Sequence, residues 1–167
     1  MKKDSEILVS IVMGSDSDLP VMKEAIAILD DFNISYEVFL TSAHRSPGRT
    51  AKFAKETANR GIKVIIAGAG AAAHLAGVIA SQTILPVIGV PIDATSLNGL
   101  DALLSTAQMP GGVPVAVMAI GKAGAKNGAL MAVRILALYN EDLREKLNAY
   151  IKRMAKDIEE KQDKLEW

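Results

Sequence analysis

The residues best suited to chemistry lie together between positions 42 and 47, in the segment Ser-Ala-His-Arg-Ser-Pro. His44, one of only two histidines in the chain, is followed directly by Arg45. An imidazole can give and take a proton near neutral pH. A guanidinium can hold a phosphate through two parallel hydrogen bonds, which an ammonium cannot do. The segment therefore predicts phosphate binding combined with proton transfer, against the simpler alternative of a surface histidine beside a solvated arginine.

A second polar segment, residues 14–18, reads Gly-Ser-Asp-Ser-Asp. The hydroxyls of Ser15 and Ser17, together with backbone N–H groups at the start of a helix, can bind an oxyanion. Asp18 would repel a phosphate, but its carboxylate can accept hydrogen bonds from two ribose hydroxyls. The alternative is ordinary helix capping, because Ser and Asp are common N-cap residues.

A third segment, residues 68–77, consists almost entirely of Gly and Ala and contains the second histidine, His74. Such a loop allows a planar ring to lie against backbone groups. It is not a dinucleotide fingerprint, because the glycines do not follow the first predicted strand and lack the G-x-G-x-x-G spacing. His74 either contacts a substrate or orients the loop from the start of the next helix.

Short β-branched segments alternate with helical patterns along the chain, which predicts right-handed βαβ crossovers and a parallel sheet covered on both faces. Five strands in a chain of this length suit a three-layer α/β/α, flavodoxin-like fold with strand order 2-1-3-4-5. The predicted strands are 7–12, 35–40, 64–67, 86–90 and 115–120. The predicted helices are 20–31, 47–60, one that ends near residue 81, and 127–138. Asn127 is the predicted cap of the last of these helices.

The three polar segments each follow one of the first three predicted strands. Because the carboxyl ends of parallel strands lie at the same edge of a sheet, the three segments are predicted to meet there, where ligands bind in such folds. This convergence is a stronger indication of a site than any one segment.

The last part of the chain differs in character, since residues 141–165 are rich in charge. Asn140 is a suitable N-cap, and a helix of 24 residues is about 36 Å long, compared with a radius of gyration of roughly 15 Å for such a domain. We therefore expect one domain over 1–167, with a flavodoxin-like core at 7–138 and a C-terminal helix at 140–166 packing on a neighbouring subunit. The alternative is a cap on its own subunit. The predicted apolar stripe is Leu143, Leu147, Ile151, Met154 and Ile158.

Composition excludes several classes of protein. The formal net charge is zero, which argues against a general nucleic-acid binder. The chain has no cysteine and only two histidines, so neither a disulfide framework nor a metal centre is expected. Half of the residues are apolar, which indicates a sheet buried on both faces, surface buried between subunits, or both. With no signal peptide or membrane span in the sequence, a cytoplasmic location is expected.

Several motifs in one order resemble the class I N5-carboxyaminoimidazole ribonucleotide mutases of purine synthesis. The resemblance extends over about residues 8–138. The motifs that carry it are MGSDSD at 13–18, SAHR at 42–45, AGAG at 67–70 with HL at 74–75, GVP at 89–91, QMP at 108–110 and AIGKAG at 119–124.

The resemblance implies a flavodoxin-like homo-octamer that acts on a small ribonucleotide without a metal or organic cofactor. The implied reaction moves a carboxylate from the exocyclic nitrogen of an aminoimidazole ribonucleotide to ring carbon C4, through CO2 that stays in the site. His44 would shuttle the protons, Ser15 and Arg45 would hold the phosphate, and Asp18 would hold the ribose. Further residues implied to line the site are Ser17, Ser42, Ala43, Gly70, His74 and Leu75.

The chain differs from the family pattern at a few positions. Ser46 replaces a usual Thr, and Ala71, Ala76 and Val78 replace Gly, Pro and Met in the third segment; residues 106–107 replace a bulkier aliphatic pair. We expect these changes to affect how the imidazole is seated. Two alternatives stay open: a related carboxylase that uses free CO2, and a nucleotide-binding module without catalysis.

Overall fold

The sheet has five parallel strands in the order β2-β1-β3-β4-β5, which confirms the predicted flavodoxin-like topology. The computed structural model describes residues 6–165, so residues 1–5 and 166–167 of the expected domain lie outside the described part. The strands are β1 (Val9–Met13), β2 (Tyr36–Leu40), β3 (Val64–Gly70), β4 (Val87–Ile92) and β5 (Ala116–Val117).

Central strands β1 and β4 are buried at every position. This is the pattern of a parallel sheet with helices on both faces, in which strands are apolar throughout rather than alternating. The edge strand β2 is different: Val38 and Leu40 point to the same face and are exposed. The sheet is thus fully covered at its centre but not along the β2 edge.

Within residues 6–165, six α-helices flank the sheet in two layers. One core contains side chains from α1, α5 and α6, and the other contains side chains from α2 and α3. Successive strand residues point to opposite faces, so Ile11 belongs to the first core and Val12 to the second. The helices are α1 (Leu19–Asp31), α2 (Pro47–Thr57), α3 (Leu75–Ala80), α4 (Leu100–Ala107), α5 (Gly121–Ala137) and α6 (Glu141–Asp163).

Helix α4 was not predicted, because eight residues are too few to show a clear helical period. Helix α5 begins at Gly121 rather than at Asn127, so the prediction that Asn127 caps it is wrong. Close backbone packing accounts for a glycine in this segment: a Cβ on Gly124 would lie 1.6 Å from the carbonyl oxygen of Ala119. A segment that looks like a glycine-rich loop is therefore the first turn of a helix.

Helix α6 begins where the sequence predicts, with the Asn140 side chain accepting a hydrogen bond from the Leu143 N–H (3.1 Å). Leu143 and Leu147 are buried, and the Tyr150 ring lies 5.7 Å from that of Phe32. From residue 151 onward every described position is exposed. Of the helices described, none has both the length and the apolar character to cross a membrane.

Candidate active site

The loops after β1, β2 and β3 enclose a cavity of about 300 Å³ at the carboxyl edge of the sheet. The strand register explains why they meet, since the last residue of β1, Met13, pairs with Leu40 at the end of β2 and with Gly68, two residues before the end of β3. The structure brings all of the predicted site residues to this cavity, while their binding roles stay predictions. They are Ser15, Ser17, Asp18, Ser42, Ala43, His44, Arg45, Gly70, His74 and Leu75.

The loop after β1 forms a capping box around a short 3-10 helix, Asp16–Asp18. The Ser15 N–H donates to Asp18 Oδ2 (2.9 Å), and the Ser17 N–H donates to Ser15 Oγ (3.4 Å). The Ser15 hydroxyl also donates to Asp16 Oδ1 (3.1 Å). Ser15 therefore does cap the short 3-10 helix, as the simpler alternative predicted. The same arrangement holds the hydroxyls of Ser15 and Ser17 2.9 Å apart beside the cavity.

Asp18 is almost completely buried, with 4% of its surface exposed. Burial raises the pKa of its carboxyl group above the ordinary value of 3.8, while hydrogen bonds from the Ser15 and Gly14 backbone and the positive charge of Arg45 act in the opposite direction. The carboxylate is thus held in place by donors but is poorly solvated, so further hydrogen bonds from a ligand would stabilise its charge.

Arg45 is fixed across the first loop. Its Nη2 donates to the carbonyl oxygen of Gly14 (2.9 Å), and its Nε donates to Ser42 Oγ (3.4 Å). The same Ser42 oxygen accepts from the Arg45 backbone N–H (3.1 Å). A guanidinium has five N–H donors, so donors are left for an anion next to Ser15.

Hydrogen bonds between hydroxyl groups stabilise the conformation of the loop after β2. Ser46 Oγ accepts from the Ser42 N–H (3.0 Å) and lies 3.2 Å from the hydroxyl of buried Thr41, which in turn lies 2.9 Å from that of buried Thr50. Ser46 keeps the hydroxyl of the Thr that the family resemblance implies here, and that hydroxyl makes these hydrogen bonds.

The loop after β3 delivers His74 to the start of α3. Its backbone is anchored from α4, where Ser105 Oγ accepts from the Ala73 N–H (3.0 Å) and Thr106 Oγ1 donates to the Ala73 carbonyl (3.4 Å). The His74 Nδ1 lies 2.8 Å from the Nε2 of His44. The two histidines, 30 positions apart in the chain, are thus in direct contact.

Ala94, which follows β4, also lines the cavity and was not predicted. The signal was its position just beyond an apolar strand, but a small apolar side chain gave no reason to single it out. Lys122 and Asn127, two polar residues of α5, do not line the cavity. In the described part of the chain, no three His, Cys, Asp or Glu side chains are grouped so as to hold a metal ion.

The fold and the site together define a flavodoxin-like α/β/α protein whose carboxyl-edge cavity combines serine hydroxyls, a guanidinium and a buried carboxylate with a pair of imidazoles. A model of the AIR carboxylase family matches residues 8–157. The chain therefore belongs to the AIR carboxylase family.

Individual relatives agree with this assignment. The chain is 57% identical to the N5-carboxyaminoimidazole ribonucleotide mutase of Pyrococcus horikoshii, over 98% of this chain and 92% of the relative. It is 54% identical to the protein of the same name from Thermotoga maritima, over 95% and 91%. The crystal structure of Treponema denticola PurE is similar, with a TM-score of 0.85 and 30% identity over 96% of this chain and 99% of the other.

Proposed function

We propose that this protein is an ATP-independent mutase of de novo purine biosynthesis, which converts N5-carboxyaminoimidazole ribonucleotide into 4-carboxy-5-aminoimidazole ribonucleotide. Family membership and the names of its relatives support the reaction. The observation that carries the proposal to this chain is the meeting of His44 and Arg45 with Ser15 and Asp18 around one cavity. A nucleotide-sized ligand fits a cavity of about 300 Å³, at the lower end of the range for small-molecule sites.

The substrate is bound by the three loops in turn. Arg45 and the hydroxyl of Ser15 hold the phosphate, with Ser17 and Ser42 completing the donor set. Asp18 accepts hydrogen bonds from the ribose hydroxyls. The imidazole ring lies against the small-residue loop that contains Gly70, between Ala43 and Leu75 and under the two histidines.

His44 acts as general acid and then as general base. As the bond between the exocyclic nitrogen and the carboxylate breaks, CO2 leaves and the nitrogen receives the proton of His44. Carbon C4 then forms a bond to the same CO2, and the proton displaced from C4 returns to His44. Atoms and protons balance over the cycle, so no cofactor is consumed. Retaining CO2 in the site gives a high effective concentration and prevents its loss to solvent.

The active form is an oligomer, which we propose to be the homo-octamer implied by the family resemblance, located in the cytoplasm. Two observations support an oligomer: His44 and Arg45 are exposed in the isolated chain, and an apolar stripe on α6 is exposed as well. A site that must confine CO2 needs a closer cover than the single subunit provides. The cytoplasm suits a charged phosphate ester, which does not cross a bilayer unaided.

The test is incubation of the purified chain with N5-carboxyaminoimidazole ribonucleotide in the absence of ATP, followed by ultraviolet absorbance. We expect product to form, and we expect His44→Asn to bind the substrate but lose turnover. Lys52→Gln changes an exposed residue of α2 away from the cavity and serves as the control.

Two other results of the same incubation would favour the two alternative functions. If the uncarboxylated ribonucleotide is converted instead, with an initial rate that depends on bicarbonate, the protein is a direct carboxylase. If ribonucleotide binds but no product appears over hours, the chain is a binding module. Turnover that survives His44→Asn would remove His44 from its proposed role.

A further inference from the structure

We propose that Ser105 of α4 is a positioning residue which, together with the neighbouring Thr106, fixes the loop on which the imidazole ring of the substrate rests. Neither side chain lines the cavity, so both act through the backbone of Ala73. The consequence for turnover rests on the proposed function above. The anchoring of the loop is a property of the protein alone and can be tested without substrate.

Ala73 is the fixed point of the loop after β3. It is buried, whereas the preceding residues 71–72 are exposed and line the cavity. The Ala73 N–H donates to Ser105 Oγ (3.0 Å), and the Ala73 carbonyl oxygen lies 3.4 Å from Thr106 Oγ1. Two consecutive side chains of α4 thus hold both polar backbone groups of one loop residue, directly behind the surface that faces the cavity.

Ser105 is the stronger of the two anchors. Its hydroxyl donates to the Asp101 carbonyl in the preceding turn of α4 (2.8 Å), and its oxygen accepts from the Ala73 N–H, so donor and acceptor sites are both used. Thr106 has one hydroxyl proton, and its contact with the Ala102 carbonyl (2.7 Å) is shorter than that with the Ala73 carbonyl. We therefore expect loss of the Ser105 hydroxyl to loosen the loop more than loss of the Thr106 hydroxyl.

Helix α4 is also attached to the connection after β4, which forms a second wall of the cavity. Thr95 Oγ1 donates to Asp101 Oδ2 in the first turn of α4 (2.8 Å), and the residue before Thr95, Ala94, lines the cavity. The two walls approach each other closely, since a Cβ on Gly70 would lie 2.5 Å from the Cβ of Ala94. Helix α4 therefore fixes the loop after β3 relative to the connection after β4.

Thr106 has a packing role as well as a hydroxyl, and the two can be separated. The side chain is buried, and its methyl group lies over β4, where a Cβ on Gly89 would be 2.5 Å from Thr106 Cγ2. Thr106→Val keeps this methyl group and removes the hydroxyl. Thr106→Ser removes the methyl group and keeps the hydroxyl. Comparison of the two variants therefore distinguishes anchoring of the loop from packing against the sheet.

A loosened loop should lower the chance that carbon C4 captures CO2. Capture requires that the ring and CO2 stay in a reactive arrangement, which a displacement of the loop under the ring disturbs. When capture fails, the amine keeps the proton it received, CO2 escapes, and His44 takes a new proton from solvent. The ratio of released aminoimidazole ribonucleotide to carboxylated product therefore measures positioning, which the rate of substrate loss alone does not.

Amide hydrogen exchange of the protein without substrate tests the anchoring. Ser105→Ala leaves the buried Ala73 N–H without its acceptor, so we expect this amide to exchange about tenfold or more faster than in the wild type. The amide of Ile66, in the core of β3, serves as the internal reference and reports any general loss of stability. The Ala73 rate is therefore compared after division by the Ile66 rate.

Thr57→Val is the matched control for loss of a buried hydroxyl. Thr57 is buried and donates to the Phe53 carbonyl of its own helix, as Thr106 does to that of Ala102, but it is the last residue of α2. In Thr57→Val the normalised exchange rate of Ala73 should equal that of the wild type. An equal rate in Ser105→Ala as well would overturn the proposal.

The products formed from N5-carboxyaminoimidazole ribonucleotide test the consequence for turnover, after subtraction of the CO2 lost in a blank without protein. We expect Ser105→Ala to raise the ratio of released ribonucleotide to carboxylated product about threefold or more, with a smaller rise in Thr106→Val. Thr106→Ser and Thr57→Val should keep the wild-type ratio, even where their Tm falls. Light scattering checks that every variant keeps the wild-type molar mass.

Two results would overturn the positioning role of Ser105. One is an unchanged product ratio in Ser105→Ala. The other is a ratio that follows Tm across the four variants, whether or not the hydroxyl is present, because a merely structural residue would act in that way. Faster exchange of Ala73 in Ser105→Ala, in a protein whose wild type forms no carboxylated product, would instead overturn the proposed function and leave the anchoring by α4 intact.

Discussion

Ala71 has a backbone conformation that glycine usually adopts. Its φ angle is +55°, and a left-handed conformation costs an L-residue with a Cβ roughly 1–2 kcal/mol. The family resemblance places Gly at this position, in the loop that we propose to seat the imidazole. The anchors on the neighbouring Ala73 hold the loop in place. We therefore expect the substitution to change the strain of the loop and not its course.

Ala71→Gly should stabilise the protein by about 0.5–1 kcal/mol. Relief of the left-handed strain exceeds the cost of a more flexible unfolded chain, which is about 0.4–1 kcal/mol. Denaturant unfolding at a fixed protomer concentration measures the change. Ala72→Gly, next to it in the chain and without a positive φ, is the control and should destabilise. Equal destabilisation by both variants would show that Ala71 is not strained.

Asp18 should make stability depend on pH in the acidic range. Because burial raises its pKa above 3.8, the folded protein binds this proton more tightly than the unfolded chain. Its contribution to the free energy of unfolding therefore falls as pH rises from about 3.8 through the higher folded pKa. Asp18→Asn should remove this fall while weakening ribonucleotide binding.

Unfolding curves recorded at several pH values between about 3.5 and 7 measure this effect against the ordinary range of aspartate. The control is Asp16→Asn, which neutralises an exposed carboxylate in the same loop and should keep the wild-type trend. A wild-type trend that persists in Asp18→Asn would assign the pH dependence to another group.

At the scale of elements, the parallel strands made the site predictable from sequence. The polar segments follow β1, β2 and β3, and parallel strands end at one edge, so the meeting of Ser15, His44 and Gly70 follows from topology. The direct contact of His44 with His74 does not follow, because it depends on side-chain rotamers and on the anchoring of the third loop by α4. Ala94 was missed for a different reason: it is a small apolar residue, and it lies in the connection to the unpredicted helix α4.

The start of helix α6 was also predicted correctly from the sequence. Asn140→Ala should cost about 1 kcal/mol of stability, because the Leu143 N–H loses its side-chain acceptor. The free energy of unfolding measures the loss. Asn148→Ala, at an exposed position in the middle of the same helix, is the matched control and should be neutral or slightly stabilising. Similar losses in both variants would mean that the cap contributes nothing specific.

At the scale of the whole molecule, the isolated chain exposes more apolar surface than its own fold needs. Leu97, Leu100 and Leu104 are exposed on and before α4, and Val38 and Leu40 on the edge strand. Contiguous apolar surface on a subunit indicates contact with other proteins. The connection to α4 contributes Ala94 to the cavity, so a neighbour packed on α4 would also cover the site.

Helix α6 has the longest exposed stripe. Its 23 residues span about 35 Å, yet its buried residues, Leu143 and Leu147, lie in the first two turns. Ile151, Met154 and Ile158, which continue the same face, are 44%, 43% and 64% exposed. A stripe that continues past the subunit's own core favours the expected packing on a neighbouring subunit over a cap on its own subunit.

Replacing Ile151 and Ile158 together with Lys should therefore lower the molar mass measured by light scattering after size exclusion. Two charges in a contact between subunits are costly to desolvate, whereas on a solvated helix face they cost little. The control is Glu145→Gln with Glu159→Gln, which makes the same change in net charge at exposed positions of α6 outside the apolar stripe. An unchanged mass in the lysine variant would show that α6 lies free of neighbours. If mass and turnover fall together while substrate binding remains, assembly is what closes the site around CO2.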